Sequence, residues 1–129
     1  MATVGQLMTK DLSVIREEAS IQEAARQMQN RKIGSLLVQK EQEYVGIITE
    51  ADVVRAVAEE QEIGQLTVQG LMSSPIIAIE TKLSPQYARD MMADRHIRHL
   101  VVRENNVIVG IISVRDLLAY FKTVAKNVE

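Results

Sequence analysis

The chain repeats itself. Residues 3–55 align with residues 67–119 at a constant offset of 64 positions and without a gap, and 18 of the 53 aligned pairs are identical. Unrelated segments of ordinary composition would match at roughly three or four of these positions. Two copies of one supersecondary unit therefore make up the chain, and a copy of about 60 residues is marginal as an independent fold. We expect one module of two halves, residues 1–64 and 65–129, related by a pseudo-twofold axis.

Hydrophobic periodicity predicts the same order in both copies, namely strand, helix, strand, strand, helix. The expected class is α/β (α+β), with a small sheet packed on two helices in each copy. Ser20 and Glu23 form a capping-box pattern at the start of one helix, and Ser84 with Pro85 starts its counterpart. The predicted strands are Ser13–Ile15, Ser35–Gln39, Tyr44–Ile48, Ile77–Ile79, Leu100–Arg103 and Val107–Ile112, the final helices are Glu50–Glu59 and Val114–Ala125, and a polar linker is expected at Glu59–Gln65.

Composition excludes several functional classes. The net charge is −2 and aromatic residues make up 3% of the chain, so neither a nucleic-acid partner nor an anionic membrane surface is expected. The chain contains no cysteine, which removes disulfides, thiolate nucleophiles and thiolate metal ligands. No apolar run reaches the length of a membrane span, and no signal-peptide pattern is present. We therefore expect a cytoplasmic protein.

An apolar strand that leads into a hydroxyl–x–x–Asp motif occurs at the same place in both copies. The two runs are Val45-Gly46-Ile47-Ile48-Thr49-x-x-Asp52 and Val109-Gly110-Ile111-Ile112-Ser113-x-x-Asp116. With the opening Leu-Met-Thr/Ser of each copy, they closely resemble cystathionine β-synthase-type (CBS) domains. The tandem pair is similar to a Bateman module over roughly residues 2–122, and it resembles the family members that have no catalytic domain attached.

The hydroxyl–x–x–Asp motifs have two interpretations. From the residues alone, Thr49 and Ser113 cap the helices that follow, and Asp52 and Asp116 favour the positive end of the helix dipole. The same geometry suits a ligand, because a carboxylate can accept two hydrogen bonds from a ribose diol while the helix N-terminus and the hydroxyl hold phosphate. The resemblance to CBS pairs implies ribose binding by Asp52 and Asp116, and phosphate binding by Thr49 and Ser113.

A basic segment, Arg95–His99, precedes an apolar strand in the second copy, where the first copy has the uncharged Gly34 and Ser35 at the last two positions. The resemblance to nucleotide-sensing CBS modules implies that Arg98 and His99 contact phosphates. Arginine offers a planar fork for phosphate, and histidine offers donors whose charge depends on pH. We expect the second copy to hold phosphate more strongly than the first, with a solvated charge cluster as the alternative.

The residues Asp94, His96 and His99 could also be interpreted as a metal triad. Since His96 lies near a helix end and His99 begins a strand, convergence on one point is not assured. Neither a third histidine nor a cysteine is available to complete a typical zinc site. We expect no metal centre.

An adenine base needs an apolar slot. The resemblance implies that the first strand of a copy and the strand before the hydroxyl residue form its walls. The same side chains are also suited to a hydrophobic core. The adenine-binding candidates are Ile77, Ala78 and Ile112 in the second copy, with Val14 and Ile48 in the first.

These expectations combine into a regulatory module that senses an adenine nucleotide. The resemblance implies that AMP, ADP or ATP, with or without magnesium, binds in the cleft between the repeats. Binding would change conformation or dimer geometry and so regulate an unidentified protein partner. No separate cofactor is expected. A homodimer is favoured because CBS proteins commonly pair through their final helices, whose apolar stripes here are Val53, Val54, Val57, Leu117, Leu118 and Phe121.

Three alternatives stay open. The chain could be a ligand-independent protein-interaction and dimerisation module, or a sensor of S-adenosylmethionine or a dinucleotide. An enzyme is the third class, but the sequence contains no Gly-x-Ser-x-Gly, no phosphate loop and no His-Glu-x-x-His. No catalytic residue is therefore assigned.

Overall fold

The computed structural model describes residues 1–59 and 62–128. Within them the predicted α+β class is confirmed, and the chain has two three-stranded sheets and six helices. The elements in chain order are α1 (Val4–Leu7), β1 (Val14–Arg16), α2 (Ile21–Arg31), β2 (Ser35–Lys40), β3 (Glu43–Thr49), α3 (Glu50–Ala58), α4 (Val68–Leu71), β4 (Ala78–Glu80), α5 (Pro85–Arg95), β5 (His99–Glu104), β6 (Val107–Ser113) and α6 (Val114–Val128).

The chain forms two compact units that exchange their opening segments. The first-repeat unit is Ser13–Ile76, and the second-repeat unit joins Met1–Leu12 to the chain from Ile77 onwards. Helix α1 therefore packs with the second copy of the repeat, and α4 packs with the first. The division of the sequence into 1–64 and 65–129 remains a prediction about the repeat, since the contacts divide the chain at other residues.

In the first-repeat unit the sheet has the order β1-β2-β3. Strands β1 and β2 are parallel and are connected through α2, whereas β2 and β3 form an antiparallel hairpin. Side chains alternate between the two faces of the strands, so one face supplies a continuous apolar surface for the helices. The core on this face consists of Ile15, Ile21, Ala24, Met28, Leu36, Val38, Ile48, Ala56 and Val68.

The second-repeat unit has the same topology, with sheet order β4-β5-β6 and helices α5 and α6. Even the irregularity in the hairpin is repeated, after Val38 in one unit and after Val102 in the other. Equivalent residues therefore occupy equivalent positions in the two units. The core consists of Val4, Ile79, Ala88, Met92, Leu100, Val102, Ile112 and Leu117.

The predicted serines cap the N-termini of helices α2 and α5. Ser20 Oγ accepts a hydrogen bond from the N–H of Glu23 at 3.1 Å, and Ser84 accepts the equivalent bond at the start of α5. The second bond of a capping box, from the Ser20 N–H to the Glu23 side chain, is not formed among the described residues. The predicted capping box is therefore half complete. The helices end at Lys32 and His96, which adopt left-handed backbone angles of φ 57° and 56°.

Pairing shifts the ends of several predicted elements by a residue. Strands β1 and β4 each begin one residue later than predicted, because Val14 and Ala78 are the first residues in register with the neighbouring strand. The hairpin strands are longer than predicted, because only two residues form the turn that joins each pair. In the second hairpin the turn residues are Asn105 and Asn106, whose φ angles of 51° and 67° fit a type I′ turn.

The predicted linker Glu59–Gln65 is described only in part, because residues 60 and 61 lie outside the described residues. Residues 62–66 are hydrogen-bonded to the first-repeat unit. The N–H of Gln22 donates to the carbonyl of Ile63 at 2.9 Å, and that of Ile21 donates to Leu66 at 2.8 Å. This segment therefore contributes acceptors to the first turn of α2, which lacks intrahelical partners for its N–H groups.

The glycine of each repeated motif lies where an opening segment crosses a strand. A Cβ at Gly110 would lie 2.6 Å from Met8 Sδ and 2.8 Å from the carbonyl oxygen of Thr9. At Gly46 the same atom would lie 2.7 Å from both Met72 Sδ and the carbonyl of Ser73. The absent side chain lets the backbones approach closely enough to form single antiparallel bridges, Thr9 with Ile111 and Ser73 with Ile47.

Among residues 1–59 and 62–128, no helix combines the length and the apolar character needed to cross a membrane.

Candidate functional site

One edge of the sheet in the second-repeat unit gathers most of the predicted phosphate ligands. His99 begins β5 and Ser113 ends β6, and the two are paired in register. The carbonyl of Arg98 accepts a hydrogen bond from the N–H of Val114 at 2.9 Å. The hairpin therefore places Arg98, His99 and Ser113 together at the N-terminus of α6.

Asp116 lies in the first turn of α6 and is bonded to Ser113. Its Oδ2 accepts from the Ser113 N–H at 2.8 Å and from the Ser113 hydroxyl at 3.1 Å. The N–H of Asp116 donates back to Ser113 Oγ at 3.2 Å. The predicted capping role of Ser113 is confirmed, and Asp116 completes a reciprocal pair of bonds with it. The carboxylate is half-buried, and its Oδ1 has no hydrogen bond or ion pair among the described residues.

The first-repeat unit builds the same framework from different side chains. Ser35 pairs with Thr49 in the hairpin, and the N–H of Glu50 donates to the carbonyl of Gly34 at 3.0 Å. Asp52 Oδ2 accepts from the Thr49 N–H at 2.9 Å and from its hydroxyl at 3.3 Å. The backbone geometry is therefore shared, but no cationic side chain takes the positions of Arg98 and His99.

The adenine-binding candidates of the second-repeat unit are divided between two faces of the sheet. Ile112 is fully buried in the core, and Ile77 packs against the same core. Ala78 precedes the core residue Ile79 on β4, so its side chain points to the opposite face. The structure thus brings Ile77 and Ile112 together and separates Ala78 from them.

The first-repeat unit repeats this division. Ile48 is fully buried in the core. Val14 is half-buried and precedes the core residue Ile15, so it lies on the other face. The five adenine candidates therefore do not form one patch within either unit, and their ligand roles remain predictions.

The basic segment is split by the end of α5. His96 is the left-handed residue that ends the helix, while Arg98 lies two residues further on and is exposed. Only Arg98 and His99 reach the edge that carries Ser113. Within residues 1–59 and 62–128 no cluster of three or more metal-ligating side chains is present, and Asp94, His96 and His99 do not form one.

Sequence analysis did not single out an open hollow at the other end of the second-repeat sheet, with a volume of about 440 Å³. Two lysines, Lys10 and Lys82, line it together with Glu104, which accepts a hydrogen bond from Thr81 at 3.1 Å. The lysines are distant in sequence from each other and belong to no motif, so no pattern could have indicated the hollow.

Comparison with known proteins agrees with the repeat. The family model of the CBS domain matches twice, over residues 4–59 and 68–123. An uncharacterized 17.7 kDa protein of Acidianus ambivalens is 35% identical over 120 residues, which make up 91% of this chain and 72% of that protein.

Two solved structures show the same fold. A CBS-domain containing protein from Agrobacterium tumefaciens superposes with a TM-score of 0.86 at 30% identity, covering 92% of this chain and 93% of that one. A CBS domain pair in complex with 5′-methylthioadenosine and S-adenosyl-L-methionine superposes with a TM-score of 0.85 at 23% identity, covering 95% and 98% of the two chains. At that identity, the second likeness concerns the fold alone.

Proposed function

Because the chain belongs to the CBS domain family, we propose that it is a regulatory module that senses an adenine nucleotide, AMP, ADP or ATP. In this proposal the ligand binds at the N-terminal end of α6 in the second-repeat unit. Asp116 accepts hydrogen bonds from the ribose hydroxyls, and Arg98, His99 and Ser113 hold the phosphates. Binding shifts the protein between conformations or dimer geometries and so regulates a protein partner, because a ligand favours the state that it binds more tightly.

The observation that carries the proposal is the pairing of His99 with Ser113 at the edge from which α6 begins. The basic segment, with Arg98 and His99, meets the hydroxyl–x–x–Asp motif there. A helix N-terminus favours anions, and an arginine fork binds phosphate oxygens in a bidentate manner. The Asp116 carboxylate beside them suits a neutral diol, so the edge offers the complementary groups of a ribose phosphate.

The second-repeat unit is the stronger phosphate site in this proposal. The matching edge of the first-repeat unit carries Gly34 and Ser35 in place of Arg98 and His99. Thr49 with Asp52 remains a predicted site there, without a cation to hold phosphate. Of the apolar candidates, Val14, Ile77 and Ala78 are half-buried and keep their proposed contacts with adenine. Ile48 and Ile112 are fully buried in the cores and would only pack behind such a ligand.

A sensor of S-adenosylmethionine is the second candidate. A CBS pair of the same fold binds that ligand and 5′-methylthioadenosine, and Asp116 would suit their ribose equally well. The exposed cation of Arg98 favours an anionic phosphate over a positively charged sulfonium. Adenine nucleotides are therefore preferred here.

A homodimer is part of the proposal. Val54 on α3 and Leu118 on α6 are equivalent in the repeat, and each is 65% exposed. Val53 and Leu117, their neighbours in the predicted stripes, face the cores instead. Exposed apolar side chains at the same place on both final helices support a contact with a second copy. A purely structural dimerisation module, without a ligand, would share this surface.

We propose that the module is cytoplasmic and regulatory and not catalytic, because both of its repeats match the CBS domain. The proposal therefore has to be tested by binding and not by turnover.

Thermal unfolding with a ligand panel tests the proposal. A ligand at a hundred times its Kd stabilises the folded state by about 2.7 kcal/mol, which raises Tm by several degrees. The panel contains AMP, ADP, ATP, adenosine, S-adenosylmethionine and NAD, with and without magnesium. A rise in Tm with an adenine nucleotide supports the proposal, and a rise with S-adenosylmethionine alone supports the second candidate. A panel without any effect would leave the dimerisation module.

A further inference from the structure

The two motif aspartates have different neighbours. In the first-repeat unit, Arg55 Nη2 lies 3.4 Å from Asp52 Oδ1. The same nitrogen donates to the carbonyl of Leu71, at the end of α4, at 3.3 Å. In the second-repeat unit the position that matches Arg55 is Ala119. Asp116 therefore has no counterpart of this arginine.

The free acceptors differ accordingly. In both units Oδ2 of the aspartate already accepts from the N–H and the hydroxyl of the capping residue. A ribose diol that needs two acceptor sites must use Oδ1 as well. At Asp52 this atom faces the Arg55 guanidinium, and the side chain is only 8% exposed. At Asp116 the same atom has no partner among the described residues, and the side chain is half-buried.

From this difference we propose that Arg55 is a specificity-determining residue that keeps Asp52 from binding a ribose. The chain then carries one available ribose-binding carboxylate, Asp116, although its sequence contains the motif twice. The inference rests on the proposed function and adds to it the number of sites and the residue that limits it.

Competition for Asp52 is the physical reason. A nucleoside entering the first-repeat unit would have to displace the guanidinium from a carboxylate and from the Leu71 carbonyl together. An arginine with two partners is held in one orientation, so less side-chain entropy opposes each contact. Gly34 and Ser35 offer no cation that could attract a phosphate and compensate for this loss. The first-repeat unit therefore offers neither a free carboxylate oxygen for the ribose nor a cation for the phosphate.

Isothermal titration calorimetry with adenosine and with ATP tests the inference through reciprocal substitutions. Adenosine reports on ribose and base without phosphate. The wild-type chain should bind about one equivalent and Arg55→Ala about two, because the pair with Asp52 is then removed. The reverse change, Ala119→Arg, should place a cation beside Asp116 and weaken the original site by about fivefold or more.

Two controls locate the gained site. Arg26→Ala removes another exposed arginine, on α2, which has no ion pair among the described residues; the number of sites should not change. Adding Asp52→Ala to Arg55→Ala should abolish the gained site and leave the original one. The gained site should bind adenosine and ATP with similar affinity, since this unit has no phosphate cation. If Arg55→Ala loses its cooperative melt, Arg55→Gln replaces it, because glutamine keeps a donor for Leu71 without the charge.

The outcomes separate the two proposals. One equivalent in both the wild type and Arg55→Ala would overturn the role of Arg55 while leaving the sensor intact. So would two equivalents in the wild type. Loss of the wild-type binding in Arg55→Ala would show that the arginine holds ligand, which is the opposite role. Absence of binding by every adenine compound in the wild type would reject the proposed function, and the inference with it.

Discussion

His99 and Ser113 are paired residues of β5 and β6, and the helix that begins after Ser113 carries Asp116 within hydrogen-bonding distance of it. This relationship brings a basic segment and an acidic motif, which are 14 positions apart in sequence, to one edge of a sheet. The first-repeat unit reproduces the backbone of this edge with Ser35 and Thr49 but without the cation. The predictions below use this difference between equivalent positions.

Asp116→Ala should abolish nucleotide binding and lower stability modestly. The carboxylate accepts two hydrogen bonds from Ser113, and loss of such a helix cap costs about 1 kcal/mol in the free energy of unfolding. Urea unfolding measures the stability, and calorimetry with ATP measures the binding. Asp52→Ala is the matched control, because it removes the equivalent cap and should leave binding of ATP intact. Unchanged ATP affinity in Asp116→Ala would show that the aspartate serves as a cap only.

Arg98→Ala should lower the affinity for ATP by at least about tenfold, or about 1.4 kcal/mol, while the affinity for adenosine changes little. The reason is that the guanidinium meets phosphate and not ribose in the proposed site. Competition binding with a fluorescent nucleotide compares the two ligands directly. Arg95→Ala removes another exposed arginine of the same basic segment, from the last turn of α5, and should affect ATP and adenosine equally little. Equal losses of ATP and adenosine in Arg98→Ala would argue against a phosphate contact.

Gly110→Ala should be strongly destabilising, because the added Cβ would lie 2.6 Å from Met8 Sδ and 2.8 Å from the Thr9 carbonyl. Overpacking of this kind costs about 1–3 kcal/mol, and the carbonyl belongs to a backbone that cannot rotate away. Thermal unfolding followed by circular dichroism measures the change.

Gly64→Ala is its control, since the new Cβ would meet only Gln22 Oε1 at 3.6 Å. It should leave Tm unchanged or raise it slightly, because alanine reduces the conformational entropy of the unfolded chain. A Gly110→Ala protein as stable as Gly64→Ala would contradict the close approach of the opening segment.

Leu118→Glu should shift the protein from dimer to monomer. The side chain is 65% exposed on α6, so a charge there costs little in the folded monomer but is costly inside an apolar interface. Sedimentation equilibrium measures the mass. Val107→Glu provides the comparison, because Val107 is similarly exposed, at 60%, but begins a strand at the hairpin turn. A wild type that is monomeric at every concentration would contradict the proposed homodimer.

Much of the fold was predictable because its signals are local. Ser20 and Ser84 start helices through bonds that span three residues, and the strands alternate with a period of two residues. The constant offset of the repeat then assigned the same elements to both copies. Strand ends were less accurate, since Val14 and Ala78 are strand residues only through their partners on β2 and β5.

The candidate site was predictable in its residue types but not in its availability. The repeated motif predicts that Asp52 and Asp116 are equivalent, and the hairpin registers confirm that both follow the matching strand ends. A spacing of three residues on a helix permits contact between Asp52 and Arg55, yet it does not show that the same guanidinium nitrogen also donates to the Leu71 carbonyl. The separation of Ala78 from Ile112 likewise depends on which face of the sheet each residue occupies.

The amino-acid pattern was sufficient to establish a duplicated α+β unit, its helix caps and the repeated hydroxyl–x–x–Asp motif, because each depends on neighbours within a few residues. Two features needed the folded chain. The exchange of opening segments places α1 against the second copy and α4 against the first. It brings together residues distant in sequence, such as Met8 and Gly110, which are 102 positions apart. The ion pair that distinguishes Asp52 from Asp116 depends on where a long, rotatable arginine side chain finds its second partner, and only tertiary contacts determine that.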